Sequence, residues 1–245
     1  MRRPIAVSVT VFWLVMAVGP GPLLAQPPAD IRGKDGTPMR LVPAGEFVYG
    51  EGEHQRRLTL PSFYMDTYEV TTKQYLAFQR ATGRPERFKV NERIVPDEDA
   101  DRPIIGQDWQ EAVDYCRYWG KRLPTEEEWE KAARGMDGRL YPWGNQEPTQ
   151  TIASYNWDGK KLWQGYSSLS PVGSYESGKS PYGIYDLAGN VSEWTASDYD
   201  RETKVVRGGS WLTGPVPLRA TYRRGVLPTY RLNAVGFRCA QDAPP

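Results

Sequence analysis

The chain has 245 residues and a formal net charge of +1, from 31 Lys and Arg against 30 Asp and Glu. A balance this close, with the basic residues scattered, leaves no electrostatic footprint for nucleic acid or for an anionic membrane surface. The 24 Gly, 21 Pro and nine Trp point to a loop-rich fold with frequent chain reversals, its irregular segments pinned by large flat side chains.

Residues 1–25 have the layout of a secretory signal. Arg2 and Arg3 open it, Ile5 to Gly19 is an apolar run, and Pro20 and Pro22 break that run ahead of the small Ala25. The run is shorter than the roughly 20 apolar residues that span a bilayer, and no Cys follows to suggest a lipoprotein. A mature chain from Gln26, secreted or periplasmic and with no membrane contact beyond the signal, is therefore expected. Residues 26–38 read as a short linker and 39–241 as one domain.

Within that domain MRLVPAGEFVYGEG reads as a hairpin entry with short strands around Pro43-Ala44-Gly45, and RRLTLPSFYMDTYEV continues as extended chain. Thr71 with Gln74, Asp108 with Glu111 and Thr125 with Glu128 each fit an N-cap followed three residues later by Glu or Gln. They predict helices over 72–82, 109–119 and 126–134, with Gly83, Gly120 and Gly135 at their ends. From Leu140 onward helical periodicity is lost, and SPVGSY, KVVRGGSW, LRATYRR and VGFRCA are strand candidates between turns. Helices early and short strands late, with no linker between them, indicate one α+β domain.

The two cysteines, Cys116 and Cys239, are far apart in sequence. In an exported chain such a pair reads as a disulfide rather than two thiols. Trp109, Ala112, Val113 and Cys116 follow helical apolar spacing, which sets Cys116 on a buried helix face. No Cys-x-x-Cys, His-Glu-x-x-His, nucleophile elbow or phosphate-binding loop occurs. The single histidine, His54, lies in the charged stretch GEGEHQRRL and reads as a surface residue, so a multi-histidine metal site is excluded.

The stretch DLAGNVSEW, Asp186 to Trp194, has two readings. Asp186 and Glu193 bracket Ala188-Gly189-Asn190, residues that curl easily and turn carbonyls toward a common point, as a hard cation requires. Alternatively Asp186 starts a plain turn and Glu193 lies on a wet strand. The sequon Asn190-Val191-Ser192 sits inside the bend, where a glycan would obstruct folding, and is read as coincidental.

Five phrases, GKRLPTEEEWEKAARG (120–135), YPWGN (141–145), YGIYDLAGNVSEW (182–194), VVRGGSW (205–211) and VGFRCA (235–240), together with LVPAGEFVYG and YEVTTKQYLAF, stand in an informative order. The mature chain resembles the formylglycine-generating enzyme, or sulfatase-modifying factor, family over nearly its whole length. The resemblance implies a single loop-rich α+β domain of that type, related to C-type lectin folds. It implies structural calcium held by the side chains of Asp186 and Glu193 and the carbonyls of Gly189 and Val191, with Asp186 standing where the family has Asn. A second calcium site would use Asn156, Trp157, Gln164 and Tyr166, with Gln164 in place of an acidic ligand. Cys116 and Cys239 match the family's structural bridge.

The family's two reactive cysteines, which bind copper and oxidise a substrate cysteine, fall in GGSWLTGPVPLRATYRR, where Thr213 and Leu218 stand instead. Neither supplies a thiolate, so no copper site and no cysteine-dependent formylglycine formation are expected. Fold and chemistry are then separate questions. One reading is a binding module whose groove, at Ser210, Trp211, Arg219, Tyr222, Arg223 and Arg224, takes a peptide, protein or carbohydrate-like ligand. The other is a periplasmic oxidoreductase or modifying enzyme acting on a peptide or peptide-derived metabolite, with Tyr222, Ser210 or Glu193 moving a proton.

Overall fold

Thr71, Asp108 and Thr125 each accept a hydrogen bond from the backbone N–H three residues on, and the side chains of Gln74, Glu111 and Glu128 reach back to the cap's own N–H. These reciprocal pairs satisfy N–H groups that a helix start otherwise leaves without partners. The protein is described by a computed structural model over residues 27–85, 100–160, 162, 164 and 168–244. It has α1 at Thr72–Thr82, α2 at Trp109–Tyr118 and α3 at Glu126–Arg134. Gly83, Gly120 and Gly135 follow the helices at φ of 66°, 74° and 67°, which a side chain would oppose. The signal segment, Gln26 and Tyr166 lie outside the described residues.

Strands are numbered in chain order. β1 (Asp30–Arg32), β2 (Pro38–Val42), β5 (Phe63–Asp66) and β10 (Ala240–Asp242) form an antiparallel sheet in the order β1-β2-β5-β10. β3 (Gly45–Tyr49) pairs with β4 (Arg56–Leu60). The third sheet has the order β8-β7-β6-β9, built from β6 (Ser192–Asp198), β7 (Lys204–Arg207), β8 (Arg223–Val226) and β9 (Val235–Gly236), with β9 parallel to β6. No helix among the described residues is long and apolar enough to cross a membrane.

The strands flanking Pro43-Ala44 do not pair with each other as a hairpin; β2 joins β1 and β5 while β3 joins β4. Pro43 has no N–H to give to a ladder, and the linking carbonyls of Pro43 and Gly45 instead accept from the Lys131 ammonium of α3, at 2.7 and 3.0 Å. SPVGSY is turns, not a strand. β7 stops at Arg207 because Gly208 and Gly209 turn the chain at φ of 92° and 67°. Of LRATYRR only Arg223 and Arg224 enter a strand, and VGFRCA splits between β9 and β10. The stretch read as a linker carries β1, the edge of the first sheet.

The core is one α+β unit with the disulfide at its centre. Cys116 of α2 and Cys239, 123 residues later, are joined with their Cα atoms 5.7 Å apart. Around them pack Tyr75, Phe78, Tyr115, Trp194 and Phe237, with the Tyr115 ring 5.4 Å from Phe237 and 5.3 Å from Phe78. Trp129, Ala132 and Ala133 bury the inner face of α3 against Phe63, Met65, Ile184 and Leu187. The tryptophans anchor irregular chain as composition suggested: the indole N–H of Trp109, Trp194 and Trp211 donates to the carbonyls of Thr195, Gln107 and Asn233.

Candidate functional site

The Asp186–Trp194 bend is held by backbone conformation that its residues can adopt. Asp186 and Asn190 sit at φ of 56° and 57°, and Gly189 at 91°. A Cβ on Gly189 would come within 2.4 Å of the Ser154 carbonyl oxygen, so only glycine lets the two segments touch. Asn190 is buried; its amide donates to Glu69 at 2.6 Å and its oxygen accepts from the Ser170 N–H at 3.0 Å. That side chain is therefore a structural strut and is sealed from any glycan.

Glu193 is fully buried rather than on a wet strand. Arg238 donates to both of its oxygens, through Nε at 3.0 and 2.9 Å and Nη2 at 2.8 Å, and the Trp129 indole adds a bond of 2.8 Å. A carboxylate has about four lone-pair sites, and four donor contacts fill them. Asp186 is used less: its Oδ2 accepts from the Gly173 N–H at 2.7 Å. Burial pushes the Asp186 carboxyl up to about 6, and burial reinforced by Asp186 and Glu193 raises Glu69 well above the usual range. Three acids thus lie near one guanidinium, and a bound cation would favour their ionised form, a surplus of negative charge that burial otherwise suppresses.

The fit to calcium runs through that surplus, the side chain of Asp186 and the adjacent carbonyls. Glu193 is spoken for by Arg238, and among the described residues no three acidic, His or Cys side chains converge as a ready-made metal cage. At the second position Asn156 is buried, its backbone N–H donating to Thr213 O at 2.9 Å. Trp157 and Gln164 are exposed, and Tyr166 lies outside the described residues.

The turn after β7 is closed. Ser210 and Trp211 are buried, and Thr213 Oγ1 both accepts from the Ser210 N–H at 2.8 Å and donates to the Ser210 carbonyl at 3.1 Å. Leu218 is fully buried against Tyr141, Ala153, Tyr155 and Ala188. Only about 20 Å³ of space remains beside Thr213, between Ser192, Tyr222 and Arg224, room for about one water. Of the residues expected to transfer protons, Ser210 is sealed and Glu193 is bound to Arg238, which leaves Tyr222.

Tyr222 also lines a second, larger space of about 470 Å³. Its walls are the β3–β4 loop, the start of α3, the end of β7 and the chain leading into β8. Glu130, fully buried, accepts from the Gly50 N–H, from Arg134 and from Arg207 at 2.7, 2.9 and 2.5 Å. Arg207 lies over the Trp129 ring at 5.3 Å and is 3.7 Å from Glu126, whose other oxygen accepts from Arg223 at 2.8 Å. Arg219 pairs with Glu51 at 3.1 Å, and Thr221 Oγ1 donates to Glu51 at 2.7 Å. Burial raises the Glu126 carboxyl, against Arg207 and Arg223. Three buried side-chain atoms here have no hydrogen-bond partner: Glu126 Oε2, Arg207 Nε and Arg219 Nε.

The expected groove therefore divides. Arg219, Tyr222 and Arg223 line the larger cavity, Arg224 lies exposed beside the small one, and Ser210 and Trp211 are buried. Sequence reasoning missed Glu69 and Arg238 at the bend, although each is a charge inside an otherwise apolar run, YEV and VGFRCA, which is a usable signal. It also missed the part of the cavity lining from the β3–β4 segment, Tyr49, Glu51 and Arg56, whose Glu51 lies 168 positions from its partner Arg219 and carries no local signal.

Fold and site define a loop-rich α+β domain of the formylglycine-generating enzyme type from which the reactive thiols are missing. Residues 26–243 match the Sulfatase-modifying factor enzyme 1-like domain, and the chain belongs to that family. It is 42% identical to the inactive C-alpha-formylglycine-generating enzyme 2 of Mus musculus over 285 residues, covering 90% of this chain and 91% of that protein. The Bos taurus protein of the same name is 43% identical over 156 residues, 58% of this chain, which spans 50% of the bovine length. Among solved structures, PvdO from Pseudomonas aeruginosa superposes with a TM-score of 0.73 at 24% identity, over 89% of this chain and 100% of that one, a likeness of fold.

Proposed function

We propose that this protein is an exported, calcium-stabilised binding module that uses the formylglycine-generating enzyme fold without its cysteine-dependent oxidation. The observation that carries the reading is the contrast between two neighbouring spaces. Where the family's thiols would stand, Thr213 is tied into its own turn, Leu218 is core, and about 20 Å³ is left. Next to it, across Tyr222, lies a charged space of about 470 Å³, within the size range of small-ligand sites. The word "inactive" in the name of the 42% identical mouse relative supports the same view. The ligand is a peptide or carbohydrate-like molecule in the larger cavity. Calcium is held at the bend by Asp186 and the carbonyls of Gly189 and Val191, with Glu193 serving first as the counter-ion of Arg238.

Incubation of the mature protein with a sulfatase-type cysteine peptide, with and without added copper, tests the chemical half of this reading. Mass spectrometry is expected to find the cysteine unchanged. Conversion to formylglycine above a no-enzyme control would overturn it.

A further inference from the structure

The charges lining the larger cavity do not cancel. Arg56, Arg207, Arg219 and Arg223 face Glu51, Glu126 and Glu130. Each glutamate already has an arginine: Glu51 has Arg219, Glu126 has Arg223, and Glu130 has Arg207, with Arg134 in addition. Arg56 is left over. It is exposed, its guanidinium lies over the Tyr49 ring at 4.7 Å, and it has no acidic partner among the described residues.

A second observation points the same way. Arg207, whose side chain is fully buried, keeps an Nε–H without an acceptor, and so does the buried Nε–H of Arg219. A buried donor left unpaired costs about 1–3 kcal/mol, and both arginines line this cavity, so the glutamates leave a place in their donor sets unfilled. The acid in the same wall, Glu126, does not fill that place: its free oxygen stays 3.7 Å from the Arg207 Nη1.

We infer that the cavity recognises a carboxylate, the free C-terminus of a peptide. The inference rests on the ligand-binding reading above and names the group bound. An arginine presents paired N–H groups in a plane that matches the two oxygens of a carboxylate, and Arg56 and Arg219 both line the cavity. A peptide fits better than an acidic sugar because the cavity also offers apolar surface. Val216 is 59% exposed and Tyr49 and Tyr222 line the same space, so a terminal aliphatic side chain is accommodated where a sugar hydroxyl would lose water. The β3–β4 loop is thereby part of the site, since it supplies Tyr49 at its start and Arg56 at its end.

The test is calorimetric titration of the mature protein at low salt with N-acetyl-Ala-Val, with the same peptide as its C-terminal amide, and with galacturonate. The free acid is expected to bind at least about tenfold more tightly than the amide, the value of one charge-assisted hydrogen bond. Arg56→Gln and Arg219→Gln are each expected to lower affinity for the acid by about that factor and leave the amide unchanged. Arg56 is on the surface and ties down no other residue, so its variant stays folded even if the Arg219 one, which releases Glu51, does not. Equal binding of acid and amide would sink the carboxylate assignment and leave the binding-module reading standing. Binding of galacturonate but not of the peptide acid would overturn the choice of a peptide, and binding of none of the three would remove both readings.

Discussion

Around Arg238 one carboxylate, Glu193, is bonded and two more acids, Glu69 and Asp186, are buried nearby; the larger cavity is lined by four guanidinium groups and three carboxylates. The two centres are built alike, from Arg–Glu pairs in a shell of tryptophan and tyrosine, yet they are out of balance in opposite directions. An isolated charge is costly to bury, so each centre favours a partner of the opposite sign. The acid-rich one suits a cation, and the arginine-rich one suits a carboxylate. The centres also differ in access: Glu193 and Arg238 are sealed, whereas Arg56 and Arg223 reach solvent.

The largest expected effect breaks the acid-rich centre. Glu193→Gln removes the only acid that hydrogen-bonds Arg238 among the described residues, leaving a buried cation without its counter-ion, and is expected to cost about 3–5 kcal/mol. Glu126→Gln at the cavity leaves Arg207 with Glu130 and Arg223 at the surface, and is expected to cost about 1 kcal/mol. Urea denaturation of both variants reads the difference. Equal losses would mean that the two centres are energetically alike and that the contrast drawn between them is wrong.

A pH series in chelator sharpens the same contrast. Burial holds the Asp186 carboxyl near a pKa of about 6, against about 3.9 in an unfolded chain. Between those values the native state keeps a proton that the unfolded state has lost, so stability falls as pH rises from about 4 to about 6 and the loss is complete above that. Two units correspond to at most about 3 kcal/mol. Asp186→Asn, which cannot ionise, is expected to be less steep over that window in urea melts at successive pH values. An unchanged slope would place the titrating charge elsewhere.

How much of this was legible in the sequence depended on range. Capping boxes and terminal glycines are local, and α1 and α3 fall at Thr72–Thr82 and Glu126–Arg134 as those signals indicate. The replacement of both thiols was legible too, because it needs only Thr213 and Leu218 in line with a family phrase. Pairing was not. Nothing in MRLVPAGEFVY says that the strands on either side of Pro43 join different sheets, and the Lys131 ammonium that binds the carbonyls of Pro43 and Gly45 comes from α3, 88 and 86 positions away. The central strand β6 was likewise hidden, because its sequence SEWTASD opens inside the bend and its first four residues are buried on both faces, which removes the alternation that marks a half-buried strand. Glu193 illustrates the same limit at the site. Its spacing from Asp186 is visible in sequence, but its bond to Arg238, 45 positions on, comes only from the fold.

The central claim, that the bend holds calcium through Asp186, is tested most directly by thermal melting of the mature protein in chelator and then in rising calcium, beside Asp186→Ala. An ion that binds only the folded state stabilises it by about 2.7 kcal/mol at one hundred times its dissociation constant. The account predicts that the wild-type melting temperature rises with calcium until that regime is reached, while the variant stays flat. A wild-type melting temperature that ignores calcium, in protein that carries no bound calcium after purification, would contradict it.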